Sequence, residues 1–159
     1  MNSCADFLQR KLTERCAAHE ALSAEAKAKV SEVWKIMNSE DEWAGGDYTE
    51  PSAADDEAKE VERIKVLMNE NLPGVHANMI ALAYGETLLN CGVRHGLAMT
   101  RVLLDAGADP NDTNFMDGAT PLDTLIEIAE DKIEEFPYAE QRMLLEERGG
   151  KRGELSFLL

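Results

Sequence analysis

Apolar side chains recur at helical spacing in the first part of the chain. Residues 23–38 place five of them at i, i+4, i+7, i+8 and i+11, on one continuous helical face: Ala26, Val30, Val33, Trp34 and Met37. Residues 3–20 show a similar spacing at Phe7, Leu8, Leu12 and Cys16. Both segments are therefore predicted to be helices that face the core.

The helical pattern stops at residues 39–56. This segment contains Gly45-Gly46 and Pro51 and has neither a helical nor a strand period, so we expect a long, mobile, acidic loop. The pattern resumes over residues 56–70 as a third helix, which Pro73-Gly74 ends.

Glycines divide the second half of the chain into short apolar pieces. No piece alternates between apolar and polar residues over four or more positions, so the sequence predicts no substantial sheet. The predicted fold class is all-α.

A sequence pattern recurs in this second half. Gly85-x-Thr-x-Leu89 and Gly118-x-Thr-x-Leu122 lie 33 residues apart, and the string Leu103-Leu-x-x-Gly-Ala-Asp109 lies between them. This arrangement resembles the ankyrin repeat. The resemblance implies a helical solenoid in which inner and outer helices alternate and finger loops connect successive pairs.

The residues of this pattern also have a local physical reading. Thr120 can cap an inner helix whose first residue is Pro121. Gly96 permits a tight reversal between the inner and outer helices. Gly107 is placed to adopt the left-handed conformation just after the outer helix.

The remainder of the chain departs from the ankyrin pattern. The usual Thr-Pro-Leu-His tetrapeptide ends in Asn90 in the first copy and in Asp123 in the second. Helices 23–38 and 56–70 are interpreted as a divergent inner and outer pair, and helix 3–20 as a cap. We expect one domain over 1–159, with N-terminal helices in 1–38, the loop in 39–56, and repeats with a closing helix in 57–159.

Charge narrows the range of partners. The chain has 31 acidic and 16 basic residues, a net charge of −15 and a pI near 4.5. This balance disfavours direct binding to nucleic acid or to an anionic membrane and favours a basic protein partner. No apolar run has the ~20 residues of a membrane span. With no secretory h-region and only three scattered cysteines, the expected location is the cytoplasm.

No catalytic signature is recognisable. His19, His76 and His95 are isolated in sequence, and neither a Cys-x-x-Cys pair nor a phosphate-binding glycine loop occurs. We therefore predict no catalytic residue, cofactor or metal. The alternative is an enzyme in which carboxylates such as Asp55, Asp56 and Glu60 form an acid–base or divalent-metal site.

Ankyrin proteins bind partners through finger tips and the exposed face of their inner helices. The resemblance therefore implies partner-binding positions in both repeats: Tyr84, Glu86, Arg94, His95, Phe115, Met116, Ala119, Glu127 and Ile128. Phe115 and Met116 either anchor a partner or fold against the next inner helix. Trp43 and Tyr48 lie among acidic residues in the 39–56 loop and are further candidates.

The predicted function is non-catalytic protein recognition. The favoured hypothesis is a small inhibitor of a basic protein, such as an immunity protein that blocks a toxin. The alternatives are an adaptor without inhibitory action and self-association through the N-terminal helices, with a monomer favoured.

Overall fold

A computed structural model gives the structure of the protein. It describes the backbone of residues 4–37, 51–70, 74–78, 80–81, 85–115, 117–131 and 138–153. Side chains are described from Asp6 onward in the first of these ranges and from Glu57 onward in the second; those of 80–81 and 131 are not described.

The described residues are mainly helical, as the sequence predicts. In chain order they form α1 (Cys4–Glu20), α2 (Ala24–Met37), α3 (Pro51–Asn69), α4 (Leu88–His95), α5 (Leu97–Asp105), α6 (Pro121–Asp131) and α7 (Tyr138–Glu147). Two short strands, β1 (Ile80–Ala81) and β2 (Glu86–Thr87), pair antiparallel, with Ile80 opposite Thr87. Within the described part of the chain, no helix has the length and apolarity needed to cross a lipid bilayer.

Six of the helices pack in two rows. Helices α2, α4 and α6 contact one another in sequence order, as do α3, α5 and α7. Each helix of the first row also packs against the next helix along the chain in the second row. The rows enclose one cluster of buried apolar side chains, and its fully buried members are Val33, Ile64, Leu67, Leu88, Val93, Met99, Leu103, Leu125 and Leu145.

The ends of two second-row helices have the same geometry. Gly107 after α5 and Gly149 after α7 have φ values of +92° and +88°. In each case the amide of the following residue donates to the carbonyl five positions back, over 3.0 Å and 2.8 Å. This is the Schellman ending, and it confirms the left-handed conformation predicted for Gly107.

Two asparagines bind these helix ends in the same way. Asn78 Nδ2 donates to Gly107 O over 3.2 Å, and its Oδ1 accepts from the amide two residues further on, over 2.7 Å. Asn111 makes the same pair of bonds around Gly149, over 2.9 Å and 2.8 Å. One structural unit therefore recurs along the chain.

The start of α6 is capped as the sequence predicts. Thr120 Oγ1 accepts from the Asp123 amide over 3.3 Å, and Asp123 Oδ2 accepts from the Thr120 amide over 3.1 Å. These reciprocal bonds form a capping box, with Pro121 as the first helical residue. The predicted reversal at Gly96 is also confirmed, because its φ is +104°.

Asn90 and Asp123, at equivalent positions after the two Gly-x-Thr-x-Leu segments, connect residues that are far apart in the sequence. Asn90 Nδ2 donates to Ala119 O over 3.4 Å, and Asn90 Oδ1 accepts from Thr124 Oγ1 over 3.1 Å. Asp123 Oδ2 accepts from the amide of Gly153 over 2.8 Å. Both side chains are buried and reach residues about one unit ahead.

Two predictions about the N-terminal half are wrong. Helix α3 begins at Pro51 and not at residue 56, because proline suits the first turn of a helix, where its missing amide leaves no unpaired acceptor. Helix α1 contributes no buried side chain to the core among its residues from Asp6 to Glu20, and its predicted apolar positions Leu8, Leu12 and Cys16 are half-buried. Phe7, predicted on its apolar face, is 54% exposed.

Candidate functional site

A cluster of charged residues lies on the packed helices α4 and α6 and on the segments that precede them. Glu86 and Arg94 form an ion pair between β2 and the end of α4. Asp117 and Glu127 lie close enough to Arg94 for their charges to act on its guanidinium. We call Glu86, Arg94, Asp117 and Glu127 the Arg94 cluster. Glu86 pairs with the guanidinium and the other two carboxylates act on it electrostatically, so the cluster has a net charge of −2.

The environment of Arg94 differs from that of a freely solvated arginine. Partial desolvation lowers the pKa of Arg94, and the negative charges of Glu127 and Asp117 oppose this change. The group stays protonated, since an arginine pKa begins far above neutrality. The cluster therefore keeps an excess of negative charge.

Cys91 contacts the cluster from the side of the core. Its thiol is buried in the core and lies 3.2 Å from Glu86 Oε2, to which it donates. Burial raises the pKa of the Cys91 thiol to about 12, so the group is uncharged at neutral pH and unreactive. Cys91 is therefore a core residue.

Three other predicted positions have structural contacts. His95 Nε2 donates to Met37 O over 2.8 Å and joins the end of α4 to the end of α2. Ala119 is half-buried, and its carbonyl accepts from the Asn114 amide over 3.0 Å. Ile128 is half-buried against the core.

The finger loop of residues 112–119 is partly withdrawn from solvent. Asp112 and Asn114 are buried. The carboxylate of Asp112 is only 6% exposed because it accepts from two cations of α1, Lys11 and Arg15. These contacts join residues about a hundred positions apart in sequence.

Phe115 packs against the preceding loop and against α1. Its amide donates to Gly85 O over 2.8 Å. A Cβ atom on Gly85 would lie only 2.9 Å from Phe115 Cβ, so glycine at this position permits the close approach. Lys11 Nζ lies 5.2 Å from the centre of the Phe115 ring, within the range of a cation–π contact.

Arg15 makes a second contact across the same surface. One guanidinium nitrogen lies 3.5 Å from Asp112 Oδ2, and the other donates to the carbonyl of Asn78. We call the Asp112 carboxylate, the Asn78 carbonyl and the Phe115 ring the acceptor surface. All three of its groups favour a positively charged neighbour.

His76 lies beside this surface. Its Nδ1 accepts from the Asn78 amide over 3.2 Å. Partial desolvation and the positive charge of Arg15 lower the pKa of His76, and the charge of Asp112 acts in the opposite direction. The hydrogen bond requires an unprotonated Nδ1, so geometry and electrostatics both favour neutral His76.

Four candidate residues lie outside the described residues: Tyr84, Met116, Trp43 and Tyr48. Among the predicted partner-binding residues that are described, the structure brings Glu86, Arg94 and Glu127 together. It places Phe115 against α1.

The roles of Lys11, Arg15 and Asp112 were missed by the sequence interpretation. Residues 1–20 contain three basic and three acidic residues in a chain with 31 acids and 16 bases. This locally balanced charge is the one signal that distinguishes α1. It does not identify the carboxylate that the cations contact.

No observation on the described residues favours the alternative of a carboxylate-based enzyme. No group of three His, Cys, Asp or Glu side chains able to hold a metal occurs among the residues that the structure describes. The side chains of Asp55 and Asp56 lie outside them.

The chain matches no known protein-family profile, and comparisons with curated proteins and solved structures find no match. The resemblance to ankyrin repeats therefore depends on the residues of this chain alone.

Proposed function

We propose that the chain is an ankyrin-type helical solenoid that recognises a basic protein without catalysing a reaction. The two-row helix packing supports the architecture. The equivalent contacts of Asn78 and Asn111, 33 residues apart, support a repeated unit. The Arg94 cluster is the observation that carries the binding function.

The Arg94 cluster combines a fixed position with excess negative charge. Glu86 belongs to β2, Arg94 to α4 and Glu127 to α6, and the last two helices pack directly against each other. Recognition groups on packed helices are better positioned than groups on loops. A lysine or arginine of a partner can pair with Glu127 or Asp117 while Arg94 retains Glu86.

The charge of the whole chain adds long-range attraction. A net charge of −15 raises the encounter rate with a positively charged protein, and salt weakens this effect. We propose that binding takes place in the cytoplasm and blocks the activity of the partner, as an immunity protein blocks a toxin. An adaptor would use the same surface and leave the activity of its partner unchanged.

Affinity capture from the native source at a series of salt concentrations tests this proposal. The tagged chain is the bait, and mass spectrometry identifies the retained proteins. We expect a basic protein whose retention falls steeply between about 50 and 500 mM salt, because the Debye length shortens about threefold over that range. Retention that is independent of salt would contradict electrostatic recognition.

The inhibitor and adaptor versions differ in one further measurement. Once the partner is identified, its activity is assayed with increasing amounts of the chain. Loss of activity at a one-to-one ratio supports inhibition, whereas full activity in the assembled complex supports an adaptor.

A further inference from the structure

Helix α1 contacts the rest of the protein in an unusual way. None of its described side chains, from Asp6 to Glu20, is buried. Its ion pairs with the finger loop are made by the cations Lys11 and Arg15, which remain 24% and 29% exposed, and Leu8, Leu12 and Cys16 on the same face are half-buried. Because α1 contributes no buried side chain among those described, its contacts can be exchanged for those of another helix more easily than contacts within the core.

The acceptor surface beneath α1 is held in place independently of the helix. The Asp112 amide donates to Asp109 O over 3.1 Å, and the Phe115 amide donates to Gly85 O over 2.8 Å. Asn78 is fixed by its two bonds around Gly107. Departure of α1 would therefore expose a formed surface of a carboxylate, a carbonyl and an aromatic ring.

The contacts of α1 show which kind of helix fits the acceptor surface. Lys11 and Arg15 are four residues apart and therefore lie on the same face of α1. Lys11 contacts Asp112 and Phe115, and Arg15 contacts Asp112 and Asn78. Any helix with two cations at this spacing can make the same contacts.

We propose that the acceptor surface binds a partner helix with two cations four residues apart, and that α1 occupies it as an intramolecular competitor. This inference rests on the proposed function, because it assumes a basic protein partner and specifies what that partner presents. Helix α1 then acts as a displaceable cover over a second part of the binding surface.

The connection between α1 and α2 sets the strength of this competition. Leu22, between the two helices, packs closely against Gly74 and keeps α1 near its site. A short tether of this kind gives an effective concentration in the millimolar range. A weak added peptide cannot displace α1 at micromolar concentration, whereas a partner held also by the Arg94 cluster can.

The test uses α1 itself as the probe. A fluorescent peptide of residues 4–20 is titrated into the full chain at pH 7.5, and binding is followed by anisotropy. The Lys11→Gln/Arg15→Gln double variant opens the acceptor surface, and Asp112→Asn added to it removes the charge of that surface. Arg10→Gln is the matched control, because Arg10 belongs to the same helix and is exposed.

We expect the peptide to bind the double variant at least tenfold more tightly than the unchanged chain. Addition of Asp112→Asn should reverse this gain, and Arg10→Gln should leave binding within twofold of the unchanged chain. Amide exchange in residues 6–20 should be faster in the double variant, while the urea midpoint stays the same.

Equal peptide binding to the unchanged chain and the double variant would overturn the proposal, as would binding that survives Asp112→Asn. Neither result affects the capture of a basic protein through Glu86 and Glu127. Loss of that capture while the peptide binds as expected would instead overturn the proposed function.

Discussion

Gly107 and Gly149 illustrate how single residues set the local geometry. Their φ values of +92° and +88° lie in a region that side chains with a Cβ rarely adopt. A Cβ atom at either position would meet no atom within 4 Å. The requirement for glycine therefore comes from the backbone alone and not from packing.

Replacement of this glycine gives a stability prediction. Gly107→Ala should lower the free energy of unfolding by about 1 kcal/mol, because alanine is strained at positive φ. Gly107→Asn should lower it by less, since asparagine tolerates this conformation. Urea titrations followed by circular dichroism measure both changes. Equal stability of Gly107→Ala and the unchanged chain would contradict the helix ending described here.

Cys91 gives a second prediction at the residue scale. In a Cys4→Ser/Cys16→Ser background, the single remaining thiol should not react with a disulfide reagent at pH 8, because burial raises the pKa of Cys91 to about 12. It should react fully in 6 M guanidinium. Rapid labelling of the folded protein would show that the thiol beneath Glu86 is accessible.

The sequence predicts residue-level features where the physical cause is local. Capping by Thr120 and the conformation of Gly107 each depend on a few neighbouring residues, and both are confirmed. The burial of Asp112 was not predictable in this way. It depends on Lys11 and Arg15, about a hundred residues earlier in the chain.

At the scale of elements, the errors concern α1 and α3. Pro51 was interpreted as part of a loop, although proline is well suited to the first turn of a helix, where α3 begins. The apolar spacing in α1 is helical, but the spacing alone does not show which surface a helix contacts. Its cations decide that contact.

Docking of α1 should depend on pH through His76. The pKa of His76 is lowered in the folded protein by desolvation and by Arg15, and Asp112 acts in the opposite direction. As the pH falls below about 6.5, the ordinary histidine value, the undocked state therefore takes up a proton more readily. Acidification should therefore weaken the docking of α1. Lys11 adds to the positive charge at this surface.

Hydrogen exchange can measure this effect. After correction for intrinsic rates, the amides of residues 6–20 should be less protected at pH 5.5 than at pH 7.5, while α4 and α6 change less. His76→Gln should remove most of the difference. A difference that remains in that variant would assign the pH response to another group.

At the scale of the whole molecule, the sequence predicts the helix pairs because their signals recur. The Gly-x-Thr-x-Leu segments and the glycine after each outer helix give the boundaries of α4 to α6. The position of α1 could not be predicted, since it depends on contacts with residues about a hundred positions away in the sequence. The distribution of charge also divides into a part that the sequence predicts and a part that it does not. Composition predicts a basic partner, but only the structure shows that Glu86 and Glu127 lie beside Arg94.

In our proposal, the chain has two surfaces for a basic protein. One is the Arg94 cluster, and the other is the acceptor surface, which Lys11 and Arg15 of α1 contact. Both surfaces include residues of the loops that precede α4 and α6. A partner that binds the Arg94 cluster first is held close to the acceptor surface, where it can compete with α1.

The most direct test compares two double variants for binding to the captured basic partner. Glu86→Gln/Glu127→Gln removes two negative charges from the Arg94 cluster. Glu62→Gln/Glu147→Gln removes two from the exposed faces of α3 and α7 and matches the change in net charge. At 100 mM salt we expect the first pair to weaken binding at least tenfold and the second less than threefold. Equal weakening by the two pairs would show that net charge alone attracts the partner and would contradict a specific binding surface.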